Sequence, residues 1–489
     1  MTSWIVAPIL APAVAALVNL LVGWRRWTAM LSMTAAATVL LSGIMLAARL
    51  DHTEHVVLSG LLRADALSVT MLIVIGVVAT LTTWAGIGYI GAELTHEHTD
   101  AGGARLYGVL TPGFISAMAL AVCANNIGVI WVAIEATTVV TAFLVGHRRT
   151  RTALEATWKY VMICSVGIAL ALLGTVIVYF AAQHAGAPDA HALNLDVLTA
   201  YAVSLDPGVT RLAGGLLLIG YGAKAGLFPF HTWLADAHSQ APAPVSALMS
   251  GVLLAVAFSV VLRIKPIVDA ATGPWFMRNG LVIVGLATLL IAALMLNVTG
   301  DVKRMLAYSS MENMGLIAIA AAAGTSLAIA ALLLHVLAHG VGKTVLFLAG
   351  GQLQVAHDST AIDDITGVVR RSRLVGGSFA IGLIVLLGLP PFAMFASELA
   401  IARSLADAGM AWVLAAAMLL VAVAFTALVR NSGRMLFGTA AADAPAIAVP
   451  ASVAAALVVG ATASLALGVT AGPLTGLFTS AADLLGGLR

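Results

Sequence analysis

Ile219-Gly-Tyr-Gly-Ala-Lys-Ala-Gly-Leu-Phe-Pro-Phe230 sets one lysine, Lys224, and one proline, Pro229, inside an otherwise apolar run of helical length. Proline removes a backbone hydrogen bond and clashes with the preceding turn, so a helix here should break at Pro229. A second stretch, Gly388-Leu-Pro-Pro-Phe392, shares the pattern Gly-Leu-x-Pro-Phe with Gly226-Leu-Phe-Pro-Phe230 and should break another apolar run at Pro390 and Pro391. Two interrupted helices in corresponding places point to an internally repeated chain with a transport site. Chance agreement over five residues is the alternative.

Working outward, the 489 residues are 61% hydrophobic and only 9% charged, where a soluble domain carries about a quarter charged residues. Lipid must be the main solvent. A formal charge of +2 gives no basis for a nucleic-acid partner. Two cysteines, Cys123 and Cys164, exclude a disulfide framework and a cysteine-ligated cluster, which needs about four thiolates. The apolar stretch from Trp4 to Val22 has no basic segment before it and reads as a retained first span, not a cleaved signal peptide.

A spanning helix needs about twenty apolar residues. That template predicts helices near 4–23, 28–48, 66–92, 107–123, 126–146, 156–182, 211–237, 242–264, 279–299, 304–322, 327–352, 374–403, 410–430 and 447–469. The expected fold class is therefore an all-α polytopic membrane protein of about fourteen transmembrane helices, two of them broken. The stretch from Ala471 to Leu488 is too interrupted by glycine and serine to count as a span, and His55 to Leu62 alternates weakly, as a short hairpin would. The longest polar connections, near 183–210 and 353–373, are too short to build a soluble core. Arg25, Arg26, Arg148, Arg149, Arg151, Lys303, Arg304, Arg430 and Arg434 all fall in odd-numbered connections. The bias of Lys and Arg toward cytoplasmic loops then puts both termini outside the cell membrane. Arg263, Lys265 and Arg278 break that pattern.

Each ionisable group at the bilayer centre costs roughly 2.5–3.5 kcal/mol, so those placed there need a reason. Glu135 lies mid-span in Ile130-Trp-Val-Ala-Ile-Glu-Ala-Thr-Thr138; it either serves a cation or makes a structural hydrogen bond to Thr137, Thr138 or a neighbouring helix. Lys224 is flanked by small residues that let water and other helices approach, and its depth argues against snorkelling. His335, His339 and Lys343 stand at i, i+4 and i+8 in Leu334-His-Val-Leu-Ala-His-Gly-Val-Gly-Lys-Thr344, a single helix face with proton-exchanging groups about 6 Å apart. Zinc or haem ligation and backbone-bonded histidines are the rival readings of that spacing. Lys303 is either part of the same set or a basic anchor together with Arg304. Glu398, after the second break, would be the acidic counterpart of Lys224 and the last group of a relay. Asp236 and His238 line an intake path or merely cap a half-helix. His96 and His98 sit in a polar loop and read as solvated. No phosphate loop and no dinucleotide fingerprint occurs, so nucleotide or redox chemistry belongs to partners and no cofactor is expected in this chain.

Trp131 to Thr138, Glu155-Ala-Thr-Trp-Lys-Tyr160, Lys224 to Leu248, Asp301-Val-Lys-Arg-Met-Leu-Ala-Tyr-Ser309 and His335 to Lys343 together resemble the antiporter-like subunits of the complex I and Mrp family, from about residue 60 to 435. The segments 133–138 and 159–175 resemble its hydrogenase-4 component F branch. The resemblance implies fourteen helices with two inverted five-helix repeats, here 107–264 and 279–430, preceded by helices in 1–106 and followed by a C-terminal helix and tail in 431–489. It also implies proton translocation in a cytoplasmic membrane, driven by a hydrogenase-like or quinone-reducing arm in other subunits, with this chain itself non-catalytic. Glu135, Lys224, Lys303, His335, His339, Lys343 and Glu398 match family positions. Ser250 stands where many members carry histidine and Ala255 near where others carry lysine, so the middle of the relay is expected to rely on water. A subunit of a cation/proton antiporter or of an inorganic-carbon uptake system is the alternative; a mere scaffold would leave the buried charges unexplained.

Overall fold

A computed structural model of the chain describes residues 1–50, 54–439 and 446–486. Every segment read as a span is helical over most of its length. In order they are Thr2–Val22, Arg26–Ala47, Ala66–Thr95, Ala101–Cys123, Ile127–Val145, Arg151–His184, Pro207–Lys224 with Trp233–Gln240, Ala243–Thr272, Trp275–Val298, Val302–Ala323, Ser326–His357, Arg373–Leu386 with Ala393–Asp407, Ala411–Phe437 and Ala451–Thr470. Among the described residues, eleven of these helices are long and apolar enough to cross a membrane. The others are the two broken helices and Val302–Ala323, which carries Lys303, Arg304 and Glu312.

Lipid cannot satisfy the free N–H groups of a first helical turn, so polar caps mark where helices start. Asp65, Asp100, Asn126, Asp206 and Asp301 each accept a backbone N–H at a helix start. A hairpin pairs His55–Val57 with Leu62–Ala64, close to where alternation placed it. The tail, not expected to span, forms a helix, Gly472–Gly486, packed on Ser326–His357 and Ala66–Thr95. Its 15 residues reach about 22 Å, short of a hydrocarbon core of about 30 Å. Leu488 and residues 440–445 of the expected C-terminal unit lie outside the described residues.

Three helices form the axis of the bundle: Ala66–Thr95, Ala243–Thr272 and Ser326–His357 are buried along nearly their whole apolar length. Small residues let two of them close in, since a Cβ on Gly251 would stand 3.0 Å from the Gly340 carbonyl oxygen. Gly251 lies in a π-helical turn, Met249–Leu253. Both expected breaks are present. The first helix stops at Lys224 and resumes at Trp233; the second stops at Leu386 and resumes at Ala393. Gly226 (φ 76°) and Gly388 (φ 59°) turn the chain in the left-handed region that glycine tolerates. The peptide bonds Phe228–Pro229 and Pro390–Pro391 are cis. Backbone groups freed by the first break find partners: the Phe228 N–H donates to Thr288 Oγ1 (2.9 Å) and the Trp233 indole N–H to the Ala223 carbonyl (2.9 Å).

Connections gather at two ends. At one, Asn125 donates to the Gly60 carbonyl and to Asp196, and Arg278 to the Ala408 carbonyl. At the other, basic end, Arg148 pairs with Glu93, Arg304 with Asp236 and Arg434 with Asp363. The three cations that break the loop-charge pattern are all engaged. Arg263 bridges Asp65 at 2.7 Å, Lys265 meets Asp269 at 2.5 Å, and Arg278 is held by Ala408.

Candidate functional site

Two groups of buried polar side chains occupy the bundle. In the first, Lys224 is fully buried at the end of its half-helix. Its Nζ donates to Tyr160 OH at 2.5 Å and to Thr138 Oγ1 at 3.0 Å, and lies 4.8 Å from the Tyr160 ring centre. Thr138 in turn donates to Glu135 Oε2 at 2.9 Å. Glu135 and Lys224, one helical turn and one helix apart, therefore meet through a threonine hydroxyl. Thr141 closes the set at 2.5 Å from Tyr160 OH. Glu135 is only partly buried: it lines an outward groove of about 740 Å³ with Val139, Phe143 and Trp158.

The second group is larger. Lys303, next to the partly buried Arg304, is buried and donates to the Ala241 carbonyl at 2.6 Å. Lys343 donates to the Leu306 carbonyl at 2.8 Å and to the Ser309 hydroxyl. His238 stacks on Phe347 (5.4 Å between ring centres) and feels the charges of both lysines, with neither ring nitrogen hydrogen-bonded. His339 lies between Lys343 and His335 along its helix, its Nε2 likewise without a partner. His335 is tied at both nitrogens, Nδ1 3.0 Å from Ser397 Oγ and Nε2 2.8 Å from Asn313 Oδ1. Asn313 also lines a small cavity shared by Glu312 and Glu398. The Glu398 carboxylate fills the space beside Gly388 that any side chain would occupy.

Asp236 and His238, read together as one path, separate. Asp236 sits at the basic end, 2.7 Å from Arg304 and 3.1 Å from Lys159, while His238 lies inside the second group. Ser250 pairs with Ser310 at 2.7 Å, so two hydroxyls stand in the middle of the line. Pro229, Pro390 and Pro391 sit in the two breaks and supply no polar side chain. Among the described residues no three His, Cys, Asp or Glu side chains stand close enough to hold a metal ion.

Several members escape sequence reading. Glu312 carries the same signature as Glu135, a carboxylate within an apolar run, but Lys303 and Arg304 draw attention to the start of its helix. Tyr160, Asn313 and Ser397 are ordinary residues in apolar segments until their partners on neighbouring helices are known. Trp233 is another: its indole stands between Tyr160 (5.0 Å) and His238 (6.4 Å) and separates the two groups.

Helix breaks combined with ionisable groups inside a lipid-embedded bundle are the mark of a transport subunit. The chain belongs to the family described as NADH:quinone oxidoreductase/Mrp antiporter, TM, which it matches over residues 124–426. It is 37% identical over 342 residues to the hydrogenase-4 component F homolog of Methylacidiphilum infernorum, covering 70% of this chain and 71% of that protein. Its fold is similar to that of a chain of the archaeal membrane-bound sulfane sulfur reductase, at TM-score 0.88 and 22% identity, covering 99% and 97% of the two chains. A chain of the Mrp complex from Dietzia sp. is similar at TM-score 0.86 and 21% identity, covering 99% and 98%. The chain is thus a polytopic integral membrane protein of this family, as its motifs implied.

Proposed function

We propose that this chain is the proton-translocating membrane subunit of a complex-I-like or group 4 hydrogenase-type complex, working with other membrane subunits and a redox arm. The observation that carries the reading is Lys224, a lysine without exposure whose ammonium is held by two hydroxyls and reaches a carboxylate only through Thr138. A modest change in the position of Glu135 alters the charge that faces this amine and so shifts its proton occupancy. Lys224 then exchanges a proton with its surroundings, and Lys303, His238, Lys343, His339 and His335 carry protons toward Glu312 and Glu398. Residues 107–264 and 279–430 act as two inverted repeats of one unit, each with its broken helix. The basic end faces the cytoplasm, with both termini on the other side. A neighbouring membrane subunit covers the groove at Glu135, because a carboxylate left in lipid would cost roughly 2.5–3.5 kcal/mol.

In proteoliposomes that hold the assembled complex, Lys224→Ala should reduce redox-driven proton flux to the background leak. Wild-type flux in that variant would refute the reading. The likeness to an Mrp chain makes cation/proton antiport the second reading; flux that needs sodium but no redox substrate would favour it.

A further inference from the structure

Among the described residues, no side-chain hydrogen bond joins the second group of buried residues to the first. Trp233 stands between them, and its single N–H is spent on Ala223. A relay through Lys303 therefore needs its own supply of protons. We propose that Glu93 and His147 form a proton-loading site at the basic end of the bundle, a second intake that feeds Lys303 and is distinct from Glu135. The proposal rests on the proton-translocation reading and extends it.

Glu93 ends the central helix Ala66–Thr95 and is 1% exposed. Its Oε1 accepts from Arg148 at 2.6 and 3.0 Å. Arginine–carboxylate pairs frequently engage both oxygens in a fork. Here Oε2 meets His147 Nε2 in an ion-pair contact of 3.4 Å, with no hydrogen bond of normal geometry at either atom. One turn earlier, the Tyr89 hydroxyl faces Glu93 and the Ala243 backbone without a hydrogen bond of normal length to either. Tyr107 OH and Thr111 Oγ1 are also buried and face each other without a hydrogen bond of normal geometry, with the Tyr107 ring 6.0 Å from that of His147. Buried polar atoms are almost always paired, so this many in one place calls for bound water.

The cluster is open on one side and coupled on the other. A cavity of about 370 Å³ at the basic end is lined by Glu97, His98, Asp100, His147, Arg148 and Arg149, which sets the buried imidazole at its wall. Inward, Tyr89 packs beside Ala243 and Gly351. Lys303 Nζ donates to Ala241, two residues from Ala243, and lies within the electrostatic reach of Arg148 and Glu93. The step moves one proton and breaks no other bond. His147 takes it from cavity water and gives it to Glu93 Oε2. Water and the Tyr89 hydroxyl, which accepts one proton as it releases another, pass it to the Lys303 amine. Arg148 stays charged throughout and keeps the carboxylate from being stranded as an unpaired anion.

The test uses the assembled complex in proteoliposomes, with Glu93→Gln, Glu93→Asp, Tyr89→Phe and, as reference, Lys224→Ala. Glu93→Gln should slow proton translocation by about a hundredfold, the lower end of what a positioned proton-transfer group contributes. Glu93→Asp, which keeps the carboxylate, should restore most of the rate, and Tyr89→Phe, which leaves the Arg148 pair intact, should still slow it. Normal pumping by Glu93→Gln beside an inactive Lys224→Ala overturns the intake and leaves the proposed function standing. Normal pumping by Lys224→Ala overturns both. Should Glu93→Gln fail to assemble, Tyr89→Phe decides, since it spares the Arg148 pair: a marked slowing supports the intake and a wild-type rate overturns it.

Discussion

Thr138 shows what a single hydroxyl does in this bundle. Lys224 and Glu135 stand on different helices, and a direct ion pair between them in so dry a place would hold both charges fixed. The interposed Thr138 accepts from the ammonium and donates to the carboxylate, so either partner can change its charge while the other keeps a hydrogen bond. Thr138→Val keeps the shape and removes the hydroxyl, which costs each charged partner a bond worth about 1.5–3 kcal/mol. Proton flux in the assembled complex should fall by at least about tenfold for a loss of that size, and Thr138→Ser should recover it; full flux in the valine variant would show that the bridge is idle. The two charges it joins are legible in the sequence, because each stands alone in an apolar run. The bridge is not, because threonine in a helix most often bonds its own backbone, as Thr137 does to the Ile134 carbonyl.

Helices and their interruptions follow the same divide. Apolar runs of spanning length announce nearly every helix, yet proline alone does not announce a break. Pro112 and Pro266 sit inside continuous helices. What distinguishes Pro229 and Pro390–Pro391 is a glycine shortly before them, in a left-handed turn that lets the chain leave the helix axis. Loop charge is legible only in part, because a cation near a membrane surface reads as an anchor until its partner is seen. Arg263 is such a case: with Arg63, it meets Asp65, whose other oxygen caps Ala66–Thr95 through the Ser68 N–H. Burial pushes the Asp65 carboxyl up, but the charges of Arg263 and Arg63 and the Ser68 hydrogen bond outweigh it and hold the group well below the usual carboxylate range. A depressed native value means stability that is present above the unfolded carboxylate's own titration, about pH 3.9, and is lost only as pH falls toward the native value. Asp65→Asn should therefore lower stability at neutral pH by about 3–5 kcal/mol, the usual cost of orphaning a buried partner. Thermal unfolding in detergent would measure it, with the gap from wild type constant between neutral pH and about pH 5 and closing only in stronger acid.

Across the whole molecule, the polar line runs sideways through the bundle, not from end to end. It starts at the groove beside Glu135, on the flank of Ile127–Val145 and Arg151–His184, and finishes at Glu398, where Val421, Phe425 and Leu428 of Ala411–Phe437 close the cavity. Protons that cross the membrane must then join and leave this line through the ends of the bundle, so which end faces the cytoplasm sets the direction of intake. The two ends differ in charge: the cations at one are mostly free to face water or pair with loop carboxylates, while Arg263 and Lys265 at the other are bound inside the protein. Counting only cations that are not held internally strengthens the loop bias that orients membrane proteins. The chain's own cysteines, Cys123 and Cys164, are both buried, which leaves a quiet background for thiol labelling. Arg151→Cys should react with a membrane-impermeant maleimide only in inside-out vesicles, and Ser204→Cys, exposed at the opposite end, only in intact cells. The reverse pattern would turn the bundle over and place the Glu93 cavity outside, where it would release protons and not load them.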